Sequence, residues 1–433
     1  MIMKTYYYPS ESAKKRIQSI LNRDPGFKKK EMESVSRIIE DVRKHGDTAL
    51  IKYTNRFDAS ELAIESIRVT KQETEAAFLA IKNTFTGSLD KAIRQIKEFH
   101  RLQKSKSWIS TERSGTILGQ LVNPVDTAGI YVPGGKSGQT PLVSSVLMGA
   151  IPAVIAGVKN IVMVTPPRED GSINPHLIVA AKRAGVHNIY KIGSAWAIAA
   201  LAYGTESVPM ANVIVGPGNI YVTLAKKIIS GKTGIDMIAG PSEILIIADE
   251  TAIPEFVAAD LLSQAEHDPL ASSILVTDSR KKAKAVVDAV KEQIVNLQRF
   301  EIAKASITKF GTIIVVPDLD TAIELANQIA PEHLELHIKD PFEHIGRIRN
   351  AGALFVGNYT PEPVGDYIAG PNHVLPTAGT ARYASALSVD HFIKKTSLIH
   401  YSQEAFMRDA NEIICLAEIE GLDAHAKAVK IRM

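Results

Sequence analysis

The chain has 433 residues, 45% hydrophobic and 22% charged, which excludes a single small domain and the low-hydrophobicity, high-charge composition that keeps chains unfolded. Fifty Lys+Arg against 47 Asp+Glu leave a formal charge of +3 with no basic stripe; the runs at 14–16 and 28–30 read as solvated surface, so no nucleic-acid partner is expected. Cys415 is the single cysteine, which excludes an intrachain disulfide and a cysteine-based zinc knuckle and leaves histidine and oxygen donors for any metal.

The first residues, MIMKTYYYPSESAKKR, lack the apolar core of a secretory signal, and a cytoplasmic location is expected. Over residues 10–100 charged and apolar positions recur at helical spacing. Val35, Ile38, Ile39 and Val42 share a face there, which predicts a helical N-terminal arm over 1–105. The texture then changes to β-type runs punctuated by proline and glycine. Strands are predicted at AGIYV, NIVMVTPP, NIYKIG, ANVIVGPG, SEILIIAD, SSILVTD, FGTIIVVPD and GALFVGN, with helical segments between most of them. That alternation predicts an α/β fold with parallel sheets. Residues 142–158 are apolar but broken by Gly149, Pro152 and Gly157, so they read as buried helix then strand and no membrane partner is expected. The strands divide into two incomplete Rossmann-like domains, one from 106–131 with 240–384 and one inserted between them at 132–239. Residues 385–433 carry helical patterns without a strand set and are predicted to be a C-terminal tail docking elsewhere.

Glycine loops at 132–139, 215–219, 239–243 and 369–373 punctuate this pattern. The loop VGPGN lies between a strand and a helix, where backbone amides could meet a phosphate; turn chemistry alone is the alternative. It is not the dinucleotide fingerprint, because Tyr221 stands where the third glycine would be. Gln264 and His267, three apart at the end of a helix that starts at Pro254, could bind one ion together, or His267 could simply complement the helix dipole. Glu332 and His333 are adjacent after Pro331, where a helix must stop; from a turn they could act as an acid–base pair, or Glu332 could be a helix-start carboxylate. Asp366, His373, Glu420 and His425 are isolated polar residues in apolar or Gly-Pro surroundings. An Asp oxygen, two imidazoles and a Gln carbonyl favour zinc or a similar divalent ion, although no compact zinc signature occurs.

Taken together, SQAEHD, APEHLEL, GDYIAGPNHVLPTAGTAR, VGPGN, AGPSE and EGLDAHA resemble the histidinol dehydrogenase family, from near residue 30 to residue 430. The resemblance implies oxidation of L-histidinol to L-histidine in two NAD-dependent hydride transfers, with one zinc ion per site. It implies Gln264, His267, Asp366 and His425 as zinc ligands, the last from the partner subunit of a homodimer with a shared site. Glu332 and His333 would be catalytic; Ser242, Glu420 and His373 would line the substrate pocket beside the zinc ligands; Tyr131, Trp196 and Asn219 would contact NAD. Two departures stand out. The family reads G-G-A-Q-A-I-A-A-L where this chain has GSAWAIAAL, so Trp196 replaces a glutamine, and the loop GGKSGQTPLVSSVLM is longer and adds Lys136. Those changes suggest an alternative substrate, an anionic alcohol such as a sulfonated propanediol. A non-catalytic binding protein and a zinc hydrolase are readings from other classes; Glu332 with His333 argues against the first and the glycine loops against the second.

Overall fold

The computed structural model describes residues 3–23, 26–59, 61–134, 138 and 140–433. Strand β1 (Lys4–Tyr7) leads into helices α1 (Glu11–Leu21), α2 (Lys29–Phe57), α3 (Lys71–Ala80) and α4 (Asn83–Arg101). Strands β2 (Trp108–Ser110), β3 (Thr116–Pro124) and β4 (Thr127–Tyr131) follow. Next come α5 (Val143–Ala156), β5 (Asn160–Thr165), α6 (Pro175–Ala184), β6 (Asn188–Lys191), α7 (Ser194–Tyr203), β7 (Val213–Val215), α8 (Ile220–Ile229) and β8 (Gly234–Ile235). The chain continues with β9 (Glu243–Ala248), α9 (Pro254–Ala265), β10 (Ser272–Thr277), α10 (Arg280–Ile294), α11 (Phe300–Phe310), β11 (Thr312–Val315), α12 (Leu319–Ile329), β12 (His333–His337), β13 (Ala353–Val356) and α13 (Glu362–Tyr367). It closes with β14 (Ile393–Tyr401), α14 (Gln403–Ile419) and α15 (Asp423–Lys430).

Two parallel sheets form, as expected of an α/β chain. One holds five strands in the order β6-β5-β4-β7-β8, the other six in the order β1-β11-β10-β9-β12-β13. Past the first residues of β5 (Asn160) and β9 (Glu243), strands β5, β7, β9, β10 and β11 are continuous apolar or small-residue runs because helices cover both of their faces. In α2, Val35, Ile38, Ile39 and Val42 are all buried, as their spacing predicts, and the helix kinks at Gly46, where φ is +50°. Helix α5 starts and stops within the apolar stretch 142–158, and among the described residues no helix is long and apolar enough to cross a membrane.

Several expected boundaries are corrected. The arm expected to be helical begins with a strand: β1 pairs in parallel with β11 at the edge of the six-stranded sheet, its backbone taking up the edge hydrogen bonds. Strand β4 belongs to the five-stranded sheet, so the break expected after residue 131 falls before 127. Strands β2 and β3 join neither parallel sheet; they form a three-stranded antiparallel sheet with β14. The tail expected to lack strands therefore contributes a nine-residue one. Its sequence, IKKTSLIHY, is mostly exposed, so it carries no apolar run to announce it.

Candidate active site

Strand order in the five-stranded sheet reverses between β4 and β7, the position where open α/β sheets form a crevice at the carboxyl ends of their strands. Two residues expected to contact a dinucleotide sit there. Tyr131 ends β4, and its hydroxyl accepts a hydrogen bond from the Ser194 backbone N–H at 3.2 Å; burial holds that hydroxyl protonated. Asn219 caps α8, its Oδ1 accepting from the N–H groups of Tyr221 and Val222 at 3.0 and 3.2 Å. The loop between them needs Gly216: its φ is +115°, and a Cβ would lie 2.1 Å from the Tyr131 carbonyl oxygen. Asp236 accepts from Gly216 N–H at 2.8 Å, while the Lys226 ammonium donates to the Gly216 carbonyl at 3.0 Å and pairs with Asp236. Lys226 and Asp236 side chains are 4% and 0% exposed, so the loop is fixed from beneath before any ligand arrives.

Asp58, which the sequence did not single out, also reaches this crevice. A Cβ on Gly193 would lie 3.1 Å from its Oδ2, that oxygen is buried without a partner, and burial pushes the carboxyl up to about 7. The expectation for Trp196 is corrected. Its ring is 3% exposed, stacks on Tyr53 and Phe57, and its Nε1–H donates to Thr54 Oγ1 at 3.1 Å. The indole thus mortars α7 to α2 and presents no surface to a nucleotide. Lys136, in the longer loop, lies outside the described residues.

The second group of residues gathers at the amino ends of β9 and β12, neighbours in the six-stranded sheet. Helix α12 stops at Ile329, Ala330 takes a left-handed conformation, and Pro331 forbids continuation, as predicted. Glu332 then occupies a bend immediately before β12 and His333 is the strand's first residue, so the pair stands where the chain bends into a strand and not at a helix start. Glu332 Oε2 accepts from the Glu243 N–H at 2.9 Å, and burial raises this carboxyl to about 8. His333 Nδ1 lies 3.0 Å from Gln264 Oε1 and 3.2 Å from the Glu243 carbonyl, two acceptors, so Nδ1 is the donor nitrogen and Nε2 the one left to accept a proton.

Gln264 stands in the last turn of α9 with its Nε2 buried and unpartnered, and His267 lies two residues beyond the helix end. His267, Glu362 and Asp366 offer ligand atoms all within 4.8 Å of one another. His373 Nδ1 is 3.7 Å from Asp366 Oδ1, and burial pulls that imidazole below its ordinary value, which keeps it neutral. Glu362, also missed at the sequence level, has its Oε1 3.8 Å from His333 Nε2 and 3.9 Å from His267 Nε2, with Oε2 buried and unpartnered. Burial, then the like charges of Asp366, Glu335 and Asp260, push Glu362 well above the carboxylate range. A buried Glu362 carboxylate oxygen without a partner, beside the His267 imidazole and the Asp366 carboxylate, suits a divalent cation of zinc's preferences. Asp366 and His373 also line a cavity of about 300 Å³ with Phe99, Leu375 and Leu387. Ser242 directly precedes β9. Glu420 and His425 do not join the cluster within one chain: both are exposed, at the end of α14 and on α15, and no hydrogen bond or ion pair among the described residues links them to it.

Buried acid–base groups on one sheet and a switch-point crevice on another are compatible with an α/β oxidoreductase. Comparison with known proteins narrows the class. A family model described as histidinol dehydrogenase matches residues 21–433. Proteins named histidinol dehydrogenase from Desulfotalea psychrophila and Syntrophotalea carbinolica are similar at 52% identity over the full length of both chains and 53% over 93% of this chain and 92% of the relative. The crystal structure of histidinol dehydrogenase from Elizabethkingia anophelis matches with a TM-score of 0.93 at 39% identity, covering 100% of this chain and 98% of that one. The chain belongs to the histidinol dehydrogenase family and is by that membership an oxidoreductase.

Proposed function

We propose that this protein oxidises L-histidinol to L-histidine in two NAD-dependent steps, within histidine biosynthesis in the cytoplasm, as a zinc-dependent homodimer. The observation that carries this reading is the His333 imidazole, buried, fixed through Nδ1, with its basic Nε2 turned toward the group formed by His267, Glu362 and Asp366. Gln264, His267 and Asp366 would hold zinc together with His425 of the partner subunit. Support for a second copy comes from the exposed apolar side chains of the terminal helices, among them Leu416 at 63%, Ile419 at 78% and Ile431 at 83%. Bound zinc supplies the positive charge that orients the amino and hydroxyl groups of the alcohol, and NAD bound near Tyr131 and Asn219 supplies the hydride acceptor.

His333 Nε2 takes the hydroxyl proton as the first hydride leaves carbon, and the resulting imidazolium is stabilised through Nδ1–H by two carbonyl oxygens. Glu332, when ionised, removes a proton from the water that adds to the aldehyde; the Glu243 N–H holds its other oxygen in place. Once its first proton has passed to solvent, His333 Nε2 collects the proton released with the second hydride. Ser242, His373 and the partner's Glu420 would line the substrate pocket. An anionic propanediol is not favoured as substrate, because relatives near half identity over the whole chain carry one common name. Zinc content measured alongside NADH formation from a panel of amino alcohols and acidic diols tests the reading. Zinc retention with turnover of L-histidinol is expected; turnover only of an acidic diol, or turnover in a zinc-free preparation, overturns it.

A further inference from the structure

Beneath the residues just described lies a second buried polar layer that neither the family resemblance nor the proposed mechanism uses. Side chains alternate along β12, so Glu335 and His337 face the same side as His333. Asp260 and Gln264, four apart on α9, face them. Gln264 meets His333, as above, and one layer deeper Asp260 Oδ2 lies 3.4 Å from His337 Nε2. Glu335, 0% exposed, joins this ladder to a third element. Its Oε2 lies 3.1 Å from His337 Nε2, its Oε1 accepts from the Glu362 N–H at 2.9 Å, and its carboxyl shares a hydrogen bond with that of Asp260. Burial raises both carboxyls, which lets the pair share one proton.

Three elements therefore end on one carboxylate. Helix α9 brings Gln264 and His267, β12 brings His333, and α13, whose first N–H is the one bound, brings Asp366 four residues later. Donors to a metal must be held within about 0.5 Å of productive geometry, which side chains on three separate elements achieve only if the elements are fixed to each other. We infer that Glu335 is a positioning residue: its two oxygens lock α9, β12 and α13 at the spacing that lets Gln264, His267 and Asp366 share one metal ion beside His333. The inference rests on the zinc reading of the preceding section.

Its test compares Glu335→Met, which fills the space without accepting, and Glu335→Gln, whose amide oxygen still accepts from the Glu362 N–H. Zinc affinity is read by competition with a chromophoric chelator, kcat and KM with L-histidinol, and NAD affinity by fluorescence. Glu335→Met is expected to weaken zinc binding about 10- to 100-fold and lower kcat, with NAD affinity within about twofold of the parent. Glu335→Gln is expected to restore zinc affinity to within about threefold. Parental zinc affinity in Glu335→Met, or a loss in Glu335→Gln as large as in Glu335→Met, overturns the inference. Should Glu335→Met fail to melt cooperatively, Asp260→Ala, which cuts only the tie to α9, replaces it; a several-fold loss of zinc affinity supports the inference and parental affinity overturns it. A parent protein that binds no zinc would overturn the metal reading itself, so the two failures are distinguishable.

Discussion

The five-stranded and six-stranded sheets turn at the same place in their strand order, between β4 and β7 in one and between β9 and β12 in the other, yet they present opposite chemistry at their carboxyl ends. Tyr131 ends a strand of the first and Gly193, Gly216 and Asn219 follow its strands, giving close backbone approach and amide donors. Asp249, Asp278 and Asp318 follow the strands of the second. Burial and then the like charges of Asp249, Glu250 and Asp318 push Asp278 upward, so this edge would repel a pyrophosphate. The second sheet instead puts its functional residues at the amino ends of β9 and β12. On the proposed reading one topology serves two roles, and the residues at an edge, not the strand order, decide which ligand it meets.

That division makes the two edges separable by mutation. The largest expected effect is at the proton-carrying edge: His333→Ala should lower kcat about 100- to 10,000-fold while NAD affinity, read by fluorescence quenching, stays within about twofold. At the other edge, Asp236→Ala strands the buried Lys226 ammonium. It should destabilise the fold by about 3–5 kcal/mol in denaturant titration and weaken NAD binding without changing zinc content.

A pH series sharpens the comparison further. Glu332 acts as a base only when ionised, and burial raises it above the carboxylate range, so the aldehyde-to-acid step should speed up as pH rises through its ionisation and then level off. Glu332→Gln should slow that step and remove the rise. Linkage gives stability the opposite trend. Because the unfolded chain releases this proton near the ordinary 4.5 while the folded, metal-free chain keeps it to about 8, stability should fall with rising pH across that window, less steeply in Glu332→Gln. The smallest effect belongs to Trp196→Phe. Loss of the hydrogen bond to Thr54 should cost about 1 kcal/mol in thermal melts, with NAD affinity unchanged because the ring faces α2.

Strands of the two parallel sheets were legible because strands buried on both faces read as apolar runs between glycines. Strand β12 was not, since HLELH sets charged and imidazole side chains at alternate positions, a pattern that reads as a surface strand although all five residues are buried, Leu334 and Leu336 against α12 and the other three toward α9. The same alternation hid Glu335 and His337, whose signal is visible only once Asp260 and Gln264 are placed opposite. Glu362 was overlooked beside Asp366, four residues away on α13. Trp196 misled for a different reason: substitution at a family contact position says nothing of which way the new ring packs, and the aromatic residues Tyr53 and Phe57 that claim it lie far away in sequence. Gln264, His267, Asp366 and His333 do converge, whereas His425 stays apart within one chain.

The most direct measurement is anomalous diffraction at the zinc edge from crystals grown with zinc and NAD. The predicted result is a peak bounded by Gln264, His267, Asp366 and His425 of the partner subunit, with nucleotide density at Tyr131 and Asn219. A peak centred instead on Asp260, Glu335 and His337, or nucleotide over the carboxylate-lined edge of the six-stranded sheet, would contradict the account.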